Sequence, residues 1–122
     1  MPVESPDLNT YLCVQMGSLA MMADVIAREV DFFSIGTNDL IQYALAIDRG
    51  NEQVAHLFQP LDPAIIRMLK HVADVAKEKQ IKIFMCGEMA GDPAGALLLL
   101  GMGVDVLSMS TSNLARVKLV IR

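Results

Sequence analysis

Apolar residues along this chain follow two alternating rhythms. Short, nearly continuous apolar runs occur at Tyr11–Met16, Asp31–Ile35, Ile81–Met85 and Val104–Met109, and their length and composition predict strands. Between them the apolar positions return every three or four residues. Leu19, Met22, Ala23, Ile26 and Ala27 form one such stripe within Gly17–Val30. Ile65, Ile66, Leu69, Val72, Ala73 and Ala76 form a second. That spacing places each set on one face of a helix. Asn38–Ile47 and the run Ala94–Leu100, ended by Gly101, also read as helices, and a last helix spans Asn113–Arg122 behind Ser110 or Thr111 as cap. Asp62-Pro63 and Asp92-Pro93 are start signals. The aspartate accepts from the unpaired N–H groups of a first helical turn, and proline has no N–H there to leave unsatisfied. Asp48-Arg49-Gly50-Asn51 is a polar turn. Residues 1–10, polar with two prolines, read as a loose arm, and 11–122 as one domain.

Strands alternating with helices predict parallel βαβ units and an α/β fold. The strands are apolar on both sides, which predicts a sheet covered by helices on both faces. In such folds chemistry gathers in the loops that follow the strands. Three of these loops stand out: Gly36-Thr37-Asn38-Asp39, Cys86-Gly87-Glu88-Met89-Ala90-Gly91-Asp92 and Ser108-Met109-Ser110-Thr111. They are the most polar and glycine-rich strand exits in the chain.

Composition narrows the classes further. The chain has 122 residues, 53% hydrophobic, with no tryptophan, so aliphatic side chains and nine methionines must fill the core. The net charge is −4 and the ten basic residues are scattered, which argues against a nucleic-acid surface. Cys13 and Cys86 lie far apart without metal-ligand spacing, so reduced thiols in a cytoplasmic protein are expected rather than a disulfide or a zinc site. The first residues carry Pro, Glu and Asp rather than the apolar stretch of a signal peptide. No apolar run approaches the ~20 residues of a membrane span. Neither GxxxxGK[ST] nor GxGxxG occurs, so no nucleotide site of those kinds is expected.

The strings DFFSIGTNDLIQYALAIDRGN (31–51) and FMCGEMAGD (84–92) together resemble the phosphoenolpyruvate-utilising enzymes. Within them, the likeness is to the C-terminal, phosphoenolpyruvate-binding barrel of enzyme I of the phosphotransferase system and its nitrogen-related paralogue. The resemblance covers roughly residues 13–122. It implies the C-terminal part, about half, of a (β/α)8 TIM barrel. It also implies a Mg²⁺-dependent reaction in which phosphoenolpyruvate gives its phosphoryl group to a histidine on another domain or carrier protein, leaving enolpyruvate to be protonated to pyruvate. A half barrel has open sheet edges, which predicts a homodimer or a piece whose other half lies elsewhere. The other reading is a non-catalytic, truncated module that acts by interaction.

The resemblance assigns roles residue by residue. Cys86 matches the cysteine that protonates enolpyruvate. A thiol suits that work because its ordinary pKa, about 8.5, lies near working pH. The bland reading of Cys86 is a small buried hydrophobe. Asp39 matches a Mg²⁺ ligand and otherwise reads as a first-turn helix acid. Asn38 matches a substrate-binding residue and otherwise a helix cap. Arg49 matches a phosphate-pairing arginine, suited by its planar fork of donors, and otherwise a solvated turn residue. Glu88 orients the loop or touches substrate, and otherwise reads as a solvated acid. At the position of the family's second metal-binding glutamate this chain has Gln15, an oxygen ligand without charge. His56 and His71 read as surface or partly buried histidines.

Overall fold

The computed structural model describes residue 18 and residues 21–122. The arm, the strand expected at 11–16, Cys13 and Gln15 lie outside the described residues. A helix, α1, covers residues 21–26. Strand β1 (Phe32–Gly36) then runs directly into α2 (Thr37–Leu45). A 3-10 turn at Ala55–Leu57 precedes α3 (Pro63–Lys79). β2 (Lys82–Cys86), the short α4 (Glu88–Gly91), α5 (Pro93–Met102), β3 (Val106–Ser108) and α6 (Thr111–Ile121) complete the chain. The three strands form one parallel sheet in the order β1-β2-β3, as the alternation predicts.

Both Asp-Pro signals do what their chemistry predicts. Asp62 Oδ1 accepts from Ala64 N (2.8 Å) and Asp92 Oδ2 from Gly95 N (2.9 Å), each with proline in the first turn. The helix ends share a second device. Ile47 N donates to Gln42 O, Ile81 N to Ala76 O and Val104 N to Leu99 O, each 3.0–3.1 Å and each reaching back five residues. The residue before each donor, Ala46, Gln80 or Gly103, takes the left-handed conformation. This closure satisfies helix carbonyls that would otherwise be unpaired. It also explains why the elements begin and end slightly off their predicted bounds. Ile47 leaves α2, while Ile81 and Val104 serve helix endings rather than strands. Asp105 then pins the start of β3: its N–H donates to Ile83 O (3.0 Å) and its carboxylate accepts from Ile83 N (2.8 Å).

The core lies on one face of the sheet. Ile83 and Met85 are each 1% exposed and pack with Ile65, Leu69, Leu99 and Met89, while Phe33, Ile35 and Leu107 join from the flanks. The stripe on α3 is close to the expected one: Ile65, Leu69, Val72, Ala73 and Ala76 are buried, Met68 and Val75 join them, and Ile66 stays half-buried. The opposite face corrects an expectation. Phe32 (49% exposed), Phe84 and Val106 (41% exposed) stand outside this core, so among the described residues helices cover only one side of the sheet. Phe32 and Phe84 stack on that open face with ring centroids 4.9 Å apart.

Helix α1 docks on the covered side through Ala23, with Ala27 just beyond it. An ion pair between Lys79 Nζ and Asp24 Oδ1 (2.8 Å) ties it to the end of α3. The Lys79 hydrogen bond, with the charges of Lys79 and Arg28, holds the Asp24 carboxyl below the ordinary carboxylate value, and Asp24 raises Lys79 in turn. Among the described residues no helix is long and apolar enough to cross a membrane.

Candidate active site

Parallel strands all point their carboxyl ends the same way, so the strand register decides which exits meet. Gly36 pairs with Cys86, and Cys86 with Ser108. The last residues of the three strands therefore stand side by side, and the three polar loops leave from one rim.

Local chemistry then fixes each loop against its neighbour. Thr37, the first residue of α2, is wholly buried, and its Oγ1 donates to Cys86 O (2.9 Å). One residue on, Asn38 Oδ1 accepts from Glu88 N (3.2 Å). These bonds reach the β2 exit on either side of Gly87, whose φ of 112° lies where L side chains rarely go. A Cβ on Gly87 would collide with Thr37 Oγ1 and stand 3.1 Å from Asn38 Oδ1. Glycine thus lets the two exits close on each other. Asp39 is exposed, and its Oδ2 lies 3.8 Å from where a Cβ of Gly36 would be, so the carboxylate sits over the end of β1.

Arg49 reaches the same rim from the predicted polar turn. Asp48 holds that turn, accepting from Gly50 N through its side chain (2.8 Å) and from Asn51 N through its carbonyl (3.1 Å). The Arg49 guanidinium lies 3.9 Å from the Glu88 carboxylate, with both side chains exposed. Cys86 is a free, half-buried thiol, and its S–H donates to Ile35 O (3.6 Å). Alternation along β2 puts Ile83 and Met85 into the core and turns Phe84 and Cys86 to the open face.

A cleft of about 410 Å³ opens at this rim, lined by Asn38, Gly87, Glu88, Ser108, Met109, Ser110 and Asn113. Of the residues singled out in the sequence, Asn38 and Glu88 line it. Cys86, Asp39 and Arg49 stand at the same strand ends without lining it, and Gln15 lies outside the described residues. Two neighbours escaped sequence reasoning. Thr37 reads there as shaping a turn whose backbone can approach an anion, and nothing in the sequence shows that its hydroxyl carries the contact to Cys86. Asn113 reads there only as the start of the last helix. It packs on α4, where a Cβ on Gly91 would stand 2.7 Å from its Nδ2. A larger groove of about 610 Å³ runs between α3 and α5 past Ile66, Lys70, His71 and Leu97. No strand-exit residue lines it, whereas Asn38, Glu88 and Ser108 line the smaller cleft.

Among the described residues no three His, Cys, Asp or Glu side chains cluster as a metal cage. Asp39 offers one hard carboxylate at the rim. That suits Mg²⁺, which commonly takes one or two carboxylates from a protein and completes its shell with water and substrate oxygens.

Comparison with known proteins decides the family. The model of the PEP-utilising enzyme, PEP-binding domain matches residues 3–122. This chain belongs to that family. It is 53% identical over 107 residues to the phosphoenolpyruvate-protein phosphotransferase of Geobacillus stearothermophilus, covering 88% of this chain and 18% of that protein. Against the Haemophilus influenzae protein of the same name it is 50% identical over 116 residues, covering 95% and 20%. Against that of Enterococcus faecalis it is 47% identical over 114 residues, covering 93% and 20%. The chain spans about a fifth of the length of these relatives. The PEP-binding domain assignment places the resemblance seen in the two motif strings on firm ground.

Proposed function

We propose that this chain supplies the strand-exit half of a phosphoenolpyruvate site in a phosphoenolpyruvate-protein phosphotransferase. The three parallel strands and their outer helices form part of the C-terminal segment of a (β/α)8 barrel within residues 11–122, preceded by the arm. The observation that carries the reading is the register Gly36–Cys86–Ser108. It brings a thiol, an amide and a carboxylate to one rim, and the contact of Arg49 with Glu88 adds a guanidinium there, as a small phosphorylated acid requires. The family match and the relatives' names support the substrate class.

In this reading Arg49 pairs with phosphoryl oxygens, and Glu88 holds the guanidinium at the rim until substrate displaces it. The carboxamide of Asn38 has its oxygen committed to Glu88 N, so its NH₂ group is left to donate to an anionic oxygen. Asp39, with Gln15 as a second oxygen, would hold Mg²⁺, which when bound neutralises charge on the phosphoryl oxygens. The phosphoryl group passes to a histidine nitrogen on another domain or carrier. Cys86 then gives its proton to the methylene carbon of enolpyruvate, forming the methyl of pyruvate, and the thiolate recovers a proton from water. The reaction takes place in the cytoplasm, and the edges of β1 and β3, unpaired among the described residues, are closed by further strands or by a second copy in a homodimer.

The test is ligand protection. Alkylation of Cys86 by iodoacetamide, followed by peptide mass spectrometry, is expected to slow severalfold when phosphoenolpyruvate and Mg²⁺ are added together. An unchanged rate at millimolar phosphoenolpyruvate would leave the non-catalytic interaction module as the better account.

A further inference from the structure

Among the described residues Thr37 is the one wholly buried polar side chain, and its hydroxyl does not serve its own helix. Gly36 caps α2 with no side-chain bond, while Thr37 Oγ1 crosses to Cys86 O, 49 residues along the chain. A buried hydroxyl left without a partner is costly, so this donor is committed. It acts where β1 has turned into helix and its backbone can extend the ladder no further. The side chain supplies one more rung and fixes the Cys86–Gly87 peptide plane against β1. Once that carbonyl is held, Cys86 retains only rotation about its Cα–Cβ bond, and the contact of its S–H with Ile35 O restrains that rotation. The close fit of Gly87 against Thr37 Oγ1 completes the arrangement.

We propose that Thr37 is a positioning residue for Cys86: its hydroxyl sets where the thiol stands at the rim. The functional weight of this inference rests on the reading of Cys86 as the proton donor, but its test needs no phosphoenolpyruvate, so the two can fail separately.

The experiment follows the pH profile of Cys86 alkylation in the unliganded chain, read at the Cys86 peptide. Thr37→Val keeps the shape and removes the hydroxyl. Its alkylation rate is expected to differ from the parent by about threefold to tenfold, the range one net side-chain hydrogen bond corresponds to. Thr37→Ser, which keeps the hydroxyl, is expected to restore the parent profile. A Thr37→Val profile that overlays the parent while the unfolding midpoint falls would show a merely structural threonine and overturn the proposal. So would a serine variant as perturbed as valine. Should Thr37→Val not fold, Thr37→Ala is compared with Thr37→Ser: a changed profile in alanine alone supports the role, and matching profiles overturn it.

Discussion

The two faces of β2 divide the labour of this domain. Ile83 and Met85 face the helices and are all but sealed, whereas Phe84 and Cys86 alternate with them along the same five residues and remain half-buried. One side meets α3 and the core, and the other meets, among the described residues, the stacked ring of Phe32 and the strand ends. Stability is therefore expected to come from one side of a strand and chemistry from the other. A thiol on the core side would be shielded from any substrate, whereas on the open side it is packed enough to be held and open enough to be reached. The strand period of two makes this possible without any break in the sheet.

Truncating each face in turn gives the sharpest test of that division. Met85→Ala empties a site that is 1% exposed and is expected to cost about 2–5 kcal/mol in urea unfolding, as buried large-to-small changes do. Phe84→Ala loses a stacked partner on the open face, worth roughly 1 kcal/mol, and is expected to fall well short of that. Equal losses would break the comparison, because they would mean that the open face is also a core. Gly87→Ala comes next. It forces an L side chain into a positive-φ conformation, a strain of about 1–3 kcal/mol, and drives a Cβ onto Thr37 Oγ1. Gly103→Ala is its control, since φ there is 96° but nothing lies within 4 Å of the added carbon. Both are expected to lower the urea midpoint, and only Gly87→Ala to alter Cys86 alkylation.

What the sequence makes legible follows from the range of each interaction. The Asp-Pro starts and the long apolar stripe of α3 are local, and both are found where the pattern puts them. The edges of elements shift because Ile47, Ile81 and Val104 are drawn into helix endings, a use that looks identical to strand or helix membership in an apolar count. Helix α4 is four residues long, too short for any helical period to register. That no helix among the described residues covers Phe32, Phe84 and Val106 is not legible, because these residues carry the same apolar signature whether or not a helix covers them. At the site, the polar exits were legible as loops, and the family resemblance pointed to Cys86, Asn38, Asp39, Arg49 and Glu88. The bonds that hold these loops together were not, because Thr37 with Cys86 and Asn38 with Glu88 are pairs brought together only by the β1–β2 register.

The smallest expected effect concerns the covered side, where one ion pair helps to hold α1 on the end of α3. Asp24 titrates below its ordinary value of 3.8 in the folded chain, so its contribution is fully present above that value and disappears as pH falls through the lowered one. Lys79 titrates above its ordinary 10.5, so its share is present below that value and disappears as pH rises through the raised one. Between these limits the clamp is intact. Asp24→Asn removes it and is expected to lower the urea midpoint slightly at pH 7, less so in high salt, because both partners are in contact with solvent. The difference between variant and parent should shrink as pH drops below the Asp24 titration, where the parent carboxyl is neutral too. A gap of constant size at neutral and strongly acid pH would show that Asp24 acts through shape rather than charge, and α1 would then be held by Ala23 and its apolar neighbours alone.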